Sequence, residues 1–227
     1  MDIAIRRIRP SDVEDLARFY NELSPLSLWA RFLGYTRGLS GSTARALCAL
    51  DHMHEEGLVA VHGDPDSPQI VGHVCLADAG AGAAEIGICI ADAFQGRGIG
   101  RRLFEQATAW AMERGFKSIV ASCFVTNTRV LALLASAPYG ARTTFAGEGI
   151  VDVTIPLDPP MPMAAQVAPQ WSWAMAHRSP SRAALARRNP CHAFRLSRRP
   201  PAQGAAASGG GPHVGQGESD APRRLAT

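Results

Sequence analysis

The most suggestive chemistry in this 227-residue chain sits in the run Gln95-Gly96-Arg97-Gly98-Ile99-Gly100, which follows a β-type run and precedes a helical one. Backbone N–H groups at the start of a helix have no intrahelical partner and together carry about half a positive charge, so several can converge on an anion. Glycine admits φ > 0 and, without a Cβ, lets a ligand approach to contact distance; Arg97 and Arg101 add positive charge at the rim. Phosphate is the ligand class that such a turn holds. Gly96-x-Gly98-x-Gly100 is not the G-x-G-x-x-G of a dinucleotide site, and no Gly-Lys-Ser/Thr follows, so a nucleotide P-loop is excluded. Taken alone, the turn leaves the phosphate ligand open, beside a purely structural reading. A second polar group, His52, His54, Glu55 and Glu56, stands before a strand and reads as a solvated loop. Cys48, Cys75, Cys89, Cys123 and Cys191 are scattered, with no Cys-x-x-Cys or Cys/His clustering, so no metal site is expected. The first four read as reduced, buried small residues.

The turn needs elements to position it. Ile3, Ile5 and Ile8 alternate with polar residues up to Pro10, a first strand. Ser11 and Glu14 stand at capping-box spacing ahead of a helical stripe of Val13, Leu16, Ala17, Tyr20 and Leu23. Ser24-Pro25 restarts the chain as cap and first helical residue, carrying Leu28, Trp29, Phe32 and Leu33 to Gly34. A loop over 35–41 leads to a short helix through Leu50, capped by Ser40 or Ser42. Residues 57–62 and 70–76 form an antiparallel hairpin around Asp64-Pro65-Asp66-Ser67-Pro68, and a flexible link, Ala79-Gly80-Ala81-Gly82, leads to a strand over 85–90. After the glycine turn a helix carries Ile99, Leu103, Ala107 and Trp110 on one face and ends at Gly115. A strand over 118–124, a helix capped by Asn127 and two strands over 142–145 and 149–155 follow. The main order, β-α-α-β-β-β-α-β-α-β-β, excludes an all-parallel doubly wound sheet and predicts an α/β fold: a mixed, mostly antiparallel central sheet flanked by helices.

Composition divides the chain in two. Ten of 16 prolines lie in residues 159–227, and the net charge of +3 separates into 14 basic against 18 acidic residues up to Asp158 and 9 against 2 beyond. Residues 1–157 are expected to form one domain. Residues 158–227 read as a low-complexity basic tail rich in Pro, Arg, Ala and Gly, disordered by composition. Its arginines lie on no periodic face, which disfavours nucleic-acid or membrane contact; out-of-frame translation of a GC-rich gene is a third reading. No 18-residue apolar run and no signal-peptide pattern is present, so a cytoplasmic protein without a membrane partner is expected.

In this context Gln95-Gly96-Arg97-Gly98-Ile99-Gly100 resembles the Arg/Gln-x-x-Gly-x-Gly/Ala signature of the GNAT superfamily of acyl-CoA-dependent N-acyltransferases, and the element order agrees from Ile3 to about Ile155. Three further pieces resemble the bacterial Pat-type protein lysine acetyltransferases: Arg6-Arg7-Ile8-Arg9-Pro10, Leu23-Ser24-Pro25-Leu26-Ser27 with Arg31-Phe32, and Ala84-Glu85-Ile86-Gly87 ahead of Phe94. The resemblance implies that acetyl-CoA is the acyl donor, its pyrophosphate held by Gln95, Gly96, Arg97, Gly98, Ile99, Gly100 and Arg101, and its pantetheine arm paired with the backbone of Ile88, Cys89 and Ile90. Asn127 falls where the family often has an Asn touching the cofactor; a plain helix cap is the other reading.

The implied reaction transfers an acetyl group to a primary amine, on a protein lysine or a small molecule. A lysine with pKa near 10.4 is neutral about once in 2,500 molecules at pH 7, so deprotonation costs roughly 4–5 kcal/mol of barrier. By resemblance to the Pat-type pattern Glu85 is the general base; a solvated strand-edge carboxylate is the alternative. Many GNAT enzymes place a Tyr seven positions after the Asn, where this chain has Leu134, and the closing Gly-Phe pair is replaced by Pro138-Tyr139. These departures leave the thiolate without an evident proton donor and motivate a rival reading, a catalytically silent acyl-CoA-binding sensor or interaction module. The helices around Leu26–Leu33 and Ser42–Leu50 would form the acceptor side.

Overall fold

A computed structural model describes residues 2–64 and 68–158. The expectations for the tail, from Pro159 onward, and for the centre of the two-proline turn fall outside the described residues.

The strands are β1 (Ile3–Arg7), β2 (Glu55–His62), β3 (Gln69–Gly80), β4 (Ala83–Ile90), β5 (Ser118–Phe124), β6 (Arg142–Gly147) and β7 (Ile150–Pro156); burial alternates along β5 and β7, while β2 and β3 are buried on both faces over most of their length. Among the described residues they form one sheet in the order β1-β2-β3-β4-β5-β7-β6. Only the β4–β5 pair is parallel; the others are antiparallel, as the mixed element order required. The helices are α1 (Val13–Asn21), α2 (Pro25–Phe32), α3 (Gly41–Cys48), α4 (Ile99–Glu113) and α5 (Thr128–Ala135). On one face of the sheet Leu103, Phe104 and Trp110 of α4 and Leu134 of α5 pack over Val74, Ile86 and Ile119. On the other, Leu16 and Tyr20 of α1, Leu28 of α2 and Leu47 of α3 cover Val59 and Cys89. Each face thus removes its own apolar stripe from water, at roughly 25 cal/mol per Å² buried.

Several local expectations change. Ser11 does not cap α1. Pro10–Asp12 forms a 3-10 turn instead, because the Asp12 carboxylate accepts from Arg9 N at 2.7 Å and holds both Arg6 guanidinium nitrogens at 2.7 and 2.8 Å. Ser24 caps α2 as expected, and Ser40 rather than Ser42 caps α3, each side chain accepting an amide proton three residues on. The link at 79–82 is no loose connection. β3 runs on to Gly80, and Ala81 and Gly82, with φ of 52° and 74°, make a two-residue hairpin into β4. Two central residues with φ > 0 match the twist of the flanking strands.

The polar group at 52–56 is only partly solvated. Glu56, the second residue of β2, is fully buried, its carboxylate 2.8 Å from His52 Nδ1 and 3.0 Å from Arg7 Nε, so these partners replace the expected water. His54 remains exposed and pairs with Asp51 at 2.9 Å. Cys48, Cys89 and Cys123 are buried free thiols; Cys75 is equally buried but is not a free thiol. Among the described residues no group of three or more His, Cys, Asp or Glu could hold a metal, and no helix is long and apolar enough to cross a membrane.

Candidate functional site

β4 and β5 pair only over Ala83–Glu85 and Ser118–Val120, and then part. β4 continues to Ile90 and β5 to Phe124 with no ladder between them, so the sheet opens as a V whose apex is the Glu85–Val120 pair. A strand edge without a neighbour presents unpaired N–H and C=O groups, the polar equipment for an extended ligand arm. A cavity of about 900 Å³ fills this opening.

The glycine turn stands at the wide end. Gly98, with φ 78°, is the N-cap residue of α4, and Gly96 has φ 74°; a Cβ built on either meets nothing within 4 Å. Both positions demand the left-handed region that glycine enters without penalty. No side chain caps α4, so the first-turn amides of Ile99, Gly100 and Arg101 stay directed at the cavity mouth. Their geometry fits a phosphate group.

Of the residues singled out from sequence, Glu85, Ile88, Cys89, Ile90, Gln95, Gly96, Gly98, Ile99, Gly100, Arg101 and Asn127 all border the cavity, while Arg97 does not. Arg97 places its guanidinium 5.3 Å from the Phe94 ring centre. Arg101 Nε lies 2.8 Å from Glu105 Oε1, which offsets much of the positive charge expected at the rim. Cys89 turns its sulfur into the core, where burial pushes the thiol up to about 12, so only its backbone faces the V. Asn127 accepts from Val130 N at 3.3 Å as the cap of α5, and it also borders the cavity. Leu134 is buried in the core beside the cavity and carries no proton to give, and Tyr139 lies away from it.

Gln95 works mainly as a brace. Its Nε2 donates to Ile90 O at 3.2 Å and to Ser27 Oγ at 3.3 Å, while Oε1 accepts from Arg129 at 3.0 Å, tying β4, α2 and α5 together around the turn. Asp92 strengthens the same joint, accepting from Ser24 N at 2.8 Å, Ser24 Oγ at 2.9 Å and Ser27 Oγ at 2.7 Å. Desolvation opposes the Asp92 charge, yet these bonds from Ser24 and Ser27 outweigh it and hold the carboxyl below its ordinary value. The start of α2 is thereby clamped to the segment that leads into the glycine turn.

From that clamp α2 runs across the opening. Trp29 stacks on Phe124 of β5 with ring centres 3.6 Å apart and planes 6° from parallel, roofing the V. Leu26 and Phe32 also line the cavity, but no residue of α3 does; α3 packs on α1, so only the first of the two expected acceptor-side helices reaches the site. Arg31 lies over Gly87: a Cβ there would come within 2.4 Å of Nη2. Beneath it, Tyr20 Oη and His73 Nδ1 are 2.9 Å apart and fully buried. Burial pushes His73 down to about 3 and Tyr20 up to about 12, so both are neutral, and the nearby Arg31 cation further disfavours charge on His73. Asp92, Trp29 and the position of Arg31 were not legible locally. Their partners are 44 to 95 residues away, from Cys75 for Arg31 to Phe124 for Trp29, and only the Ser24-Pro25 cap and the Arg31-Phe32 pair marked the segment.

The family model "Acetyltransferase (GNAT) family" matches residues 21–137. Acetyltransferase PA5475 of Pseudomonas aeruginosa is 30% identical over 118 residues, covering 52% of this chain and 63% of that protein. The chain therefore spans less than two thirds of that relative's length. The GNAT domain of S. lividans PAT superposes with a TM-score of 0.61 at 26% identity, covering 67% of this chain and 89% of that one. YncA of Salmonella typhimurium, a structure with its cofactor acetyl-CoA, gives 0.57 at 19% identity, covering 70% and 96%, a likeness of fold.

Proposed function

As the chain belongs to the acetyltransferase (GNAT) family, we propose that residues 1–157 form an N-acetyltransferase domain that moves an acetyl group from acetyl-CoA to a primary amine, on a protein lysine, as in the Pat-type enzymes, or on a small molecule. The observation that carries this reading is the V between β4 and β5, open from Glu85 onward and ending at the uncapped start of α4. On this reading the first-turn amides of α4 hold the pyrophosphate. The parted edge of β4 from Ile88 to Ile90 hydrogen-bonds the pantetheine arm, which brings the thioester to the apex.

Glu85 stands at that apex, on the strand face shared with Gly87 and Cys89, toward α2. In the proposed reaction it takes a proton from the ammonium, directly or through one water. The amine then forms a C–N bond to the acetyl carbonyl carbon as the C–S bond breaks, and the CoA thiolate leaves. The proton that the nitrogen sheds as the amide forms reaches the thiolate through water, since Leu134 occupies the position of the usual Tyr. The missing Tyr also sustains the second reading, an acyl-CoA-binding module without turnover. Thiol release from acetyl-CoA, followed with lysine peptides and small amines, separates the two: amine-dependent release is expected, and binding without release from any acceptor would favour the silent module.

A further inference from the structure

Among the described residues, Arg31 is a cation without a counter-ion, at the end of the cavity beside Glu85 and Gly87. Its guanidinium rests over Gly87, with Nη2, Cζ and Nη1 at 2.4, 2.6 and 2.7 Å from where a Cβ would stand. Nη2 donates to Cys75 Sγ at 3.2 Å, and the Phe32 ring centre lies 5.2 Å away. Nε is buried with no hydrogen-bond partner, and among the described residues no carboxylate lies within 4 Å of the group. The neighbouring Tyr20 and His73 are neutral, so they supply no compensating charge. A partly desolvated guanidinium is costly unless paired, and its planar fork of donors matches a carboxylate.

Gly87 follows Glu85 by two residues on the same face of β4, which places the two about 7 Å apart along the strand. A base and a cation fork at that spacing fit an amine and a carboxylate carried by one reacting pair.

We infer that Arg31 binds a carboxylate of the reacting pair, borne either by the amine acceptor, as in a free amino acid, or by the acyl group, as in a dicarboxylic acyl-CoA. The inference rests on the acyltransferase reading and narrows its substrate class. Gly87 is the positioning residue: its missing side chain lets the guanidinium lie on the strand.

The test crosses acetyl-CoA with succinyl-CoA and free amino acids with their decarboxylated amines, measuring kcat/KM for the full-length protein, R31Q and G87A. One carboxylate-bearing pair should exceed its carboxylate-free counterpart at least tenfold, and R31Q should reduce the former at least tenfold more than the latter. G87A, which displaces the guanidinium while keeping its charge, should erode the same preference. Equal rates with and without the carboxylate, or an equal loss in both on R31Q, would overturn the inference. A preference for lysine peptides over every amino acid, with acetyl-CoA alone as donor, would overturn it too. Should no pair turn over, the acyltransferase reading itself fails, and calorimetry of succinate binding to the CoA-loaded protein then decides: binding lost in R31Q upholds the carboxylate site, and absent or unchanged binding refutes it.

Discussion

Gly98 offers the sharpest separation of backbone strain from ligand chemistry. Its φ of 78° is left-handed, and a Cβ there meets nothing within 4 Å. Gly98→Ala therefore adds no clash and costs only the left-handed penalty of about 1–2 kcal/mol, a fall in Tm of roughly 2–8 °C for a domain of this size. Gly98→Glu carries the same strain but sets a carboxylate where the amides of Ile99, Gly100 and Arg101 converge. Charge-assisted hydrogen bonds are worth about 1.5–3 kcal/mol each, so loss of two or three weakens acetyl-CoA binding by roughly two to four orders of magnitude or more. Thermal melts and isothermal calorimetry of both variants read the two effects apart. Similar Tm values with acetyl-CoA binding lost only in Gly98→Glu is the expected pattern; binding of wild-type strength in Gly98→Glu would refute the phosphate assignment of the turn.

Further expectations concern the helices above the V and the buried base beneath it. In Asp92→Asn, Ser24 and Ser27 lose a charged acceptor, which weakens the clamp on α2 by about 1 kcal/mol; α2 amides should exchange roughly fivefold faster, and unchanged exchange would show that the clamp is ornamental. His73 stays neutral in the folded protein down to about pH 3, whereas the unfolded chain takes up that proton near pH 6.5. Between those values the unfolded state binds the extra proton, so stability drops as the pH is lowered, by up to about 1.4 kcal/mol per unit. Urea unfolding at pH 7.5 and 5 should show a steeper acid loss in wild type than in His73→Gln, and equal losses would mean that His73 is not the buried neutral base described above.

Much of the frame was readable in one dimension. The alternation in β1, the β-type runs of β2 and β5, the Ser24 cap and the strand-turn-helix around Gly96 and Gly98 are local patterns, and local patterns place elements. Failures came where a partner strand or side chain, rather than the run's own pattern, decides. Ala79 and Gly80 are weak strand formers and read as a link, yet pairing with β4 draws β3 out to Gly80. Glu56 looks like a surface residue until Arg7, from β1, joins its near neighbour His52 against it in the interior. The candidate site shows the same division. The glycine turn announces itself, but the parting of β4 from β5 after Glu85 is a choice of strand neighbours, and the seat of Arg31 on Gly87 joins residues 56 apart.

The most direct test of the central claim, that the amine meets the thioester at the apex of the V, is the pH dependence of acetyl transfer in Glu85→Gln. Positioned general bases contribute about 10²–10⁴ in rate. The account predicts at least a hundredfold lower kcat/KM at pH 7, acetyl-CoA affinity within about twofold of wild type, and a deficit that narrows toward pH 10 as the free amine becomes abundant. A variant that transfers acetyl groups at the wild-type rate at pH 7 would contradict it.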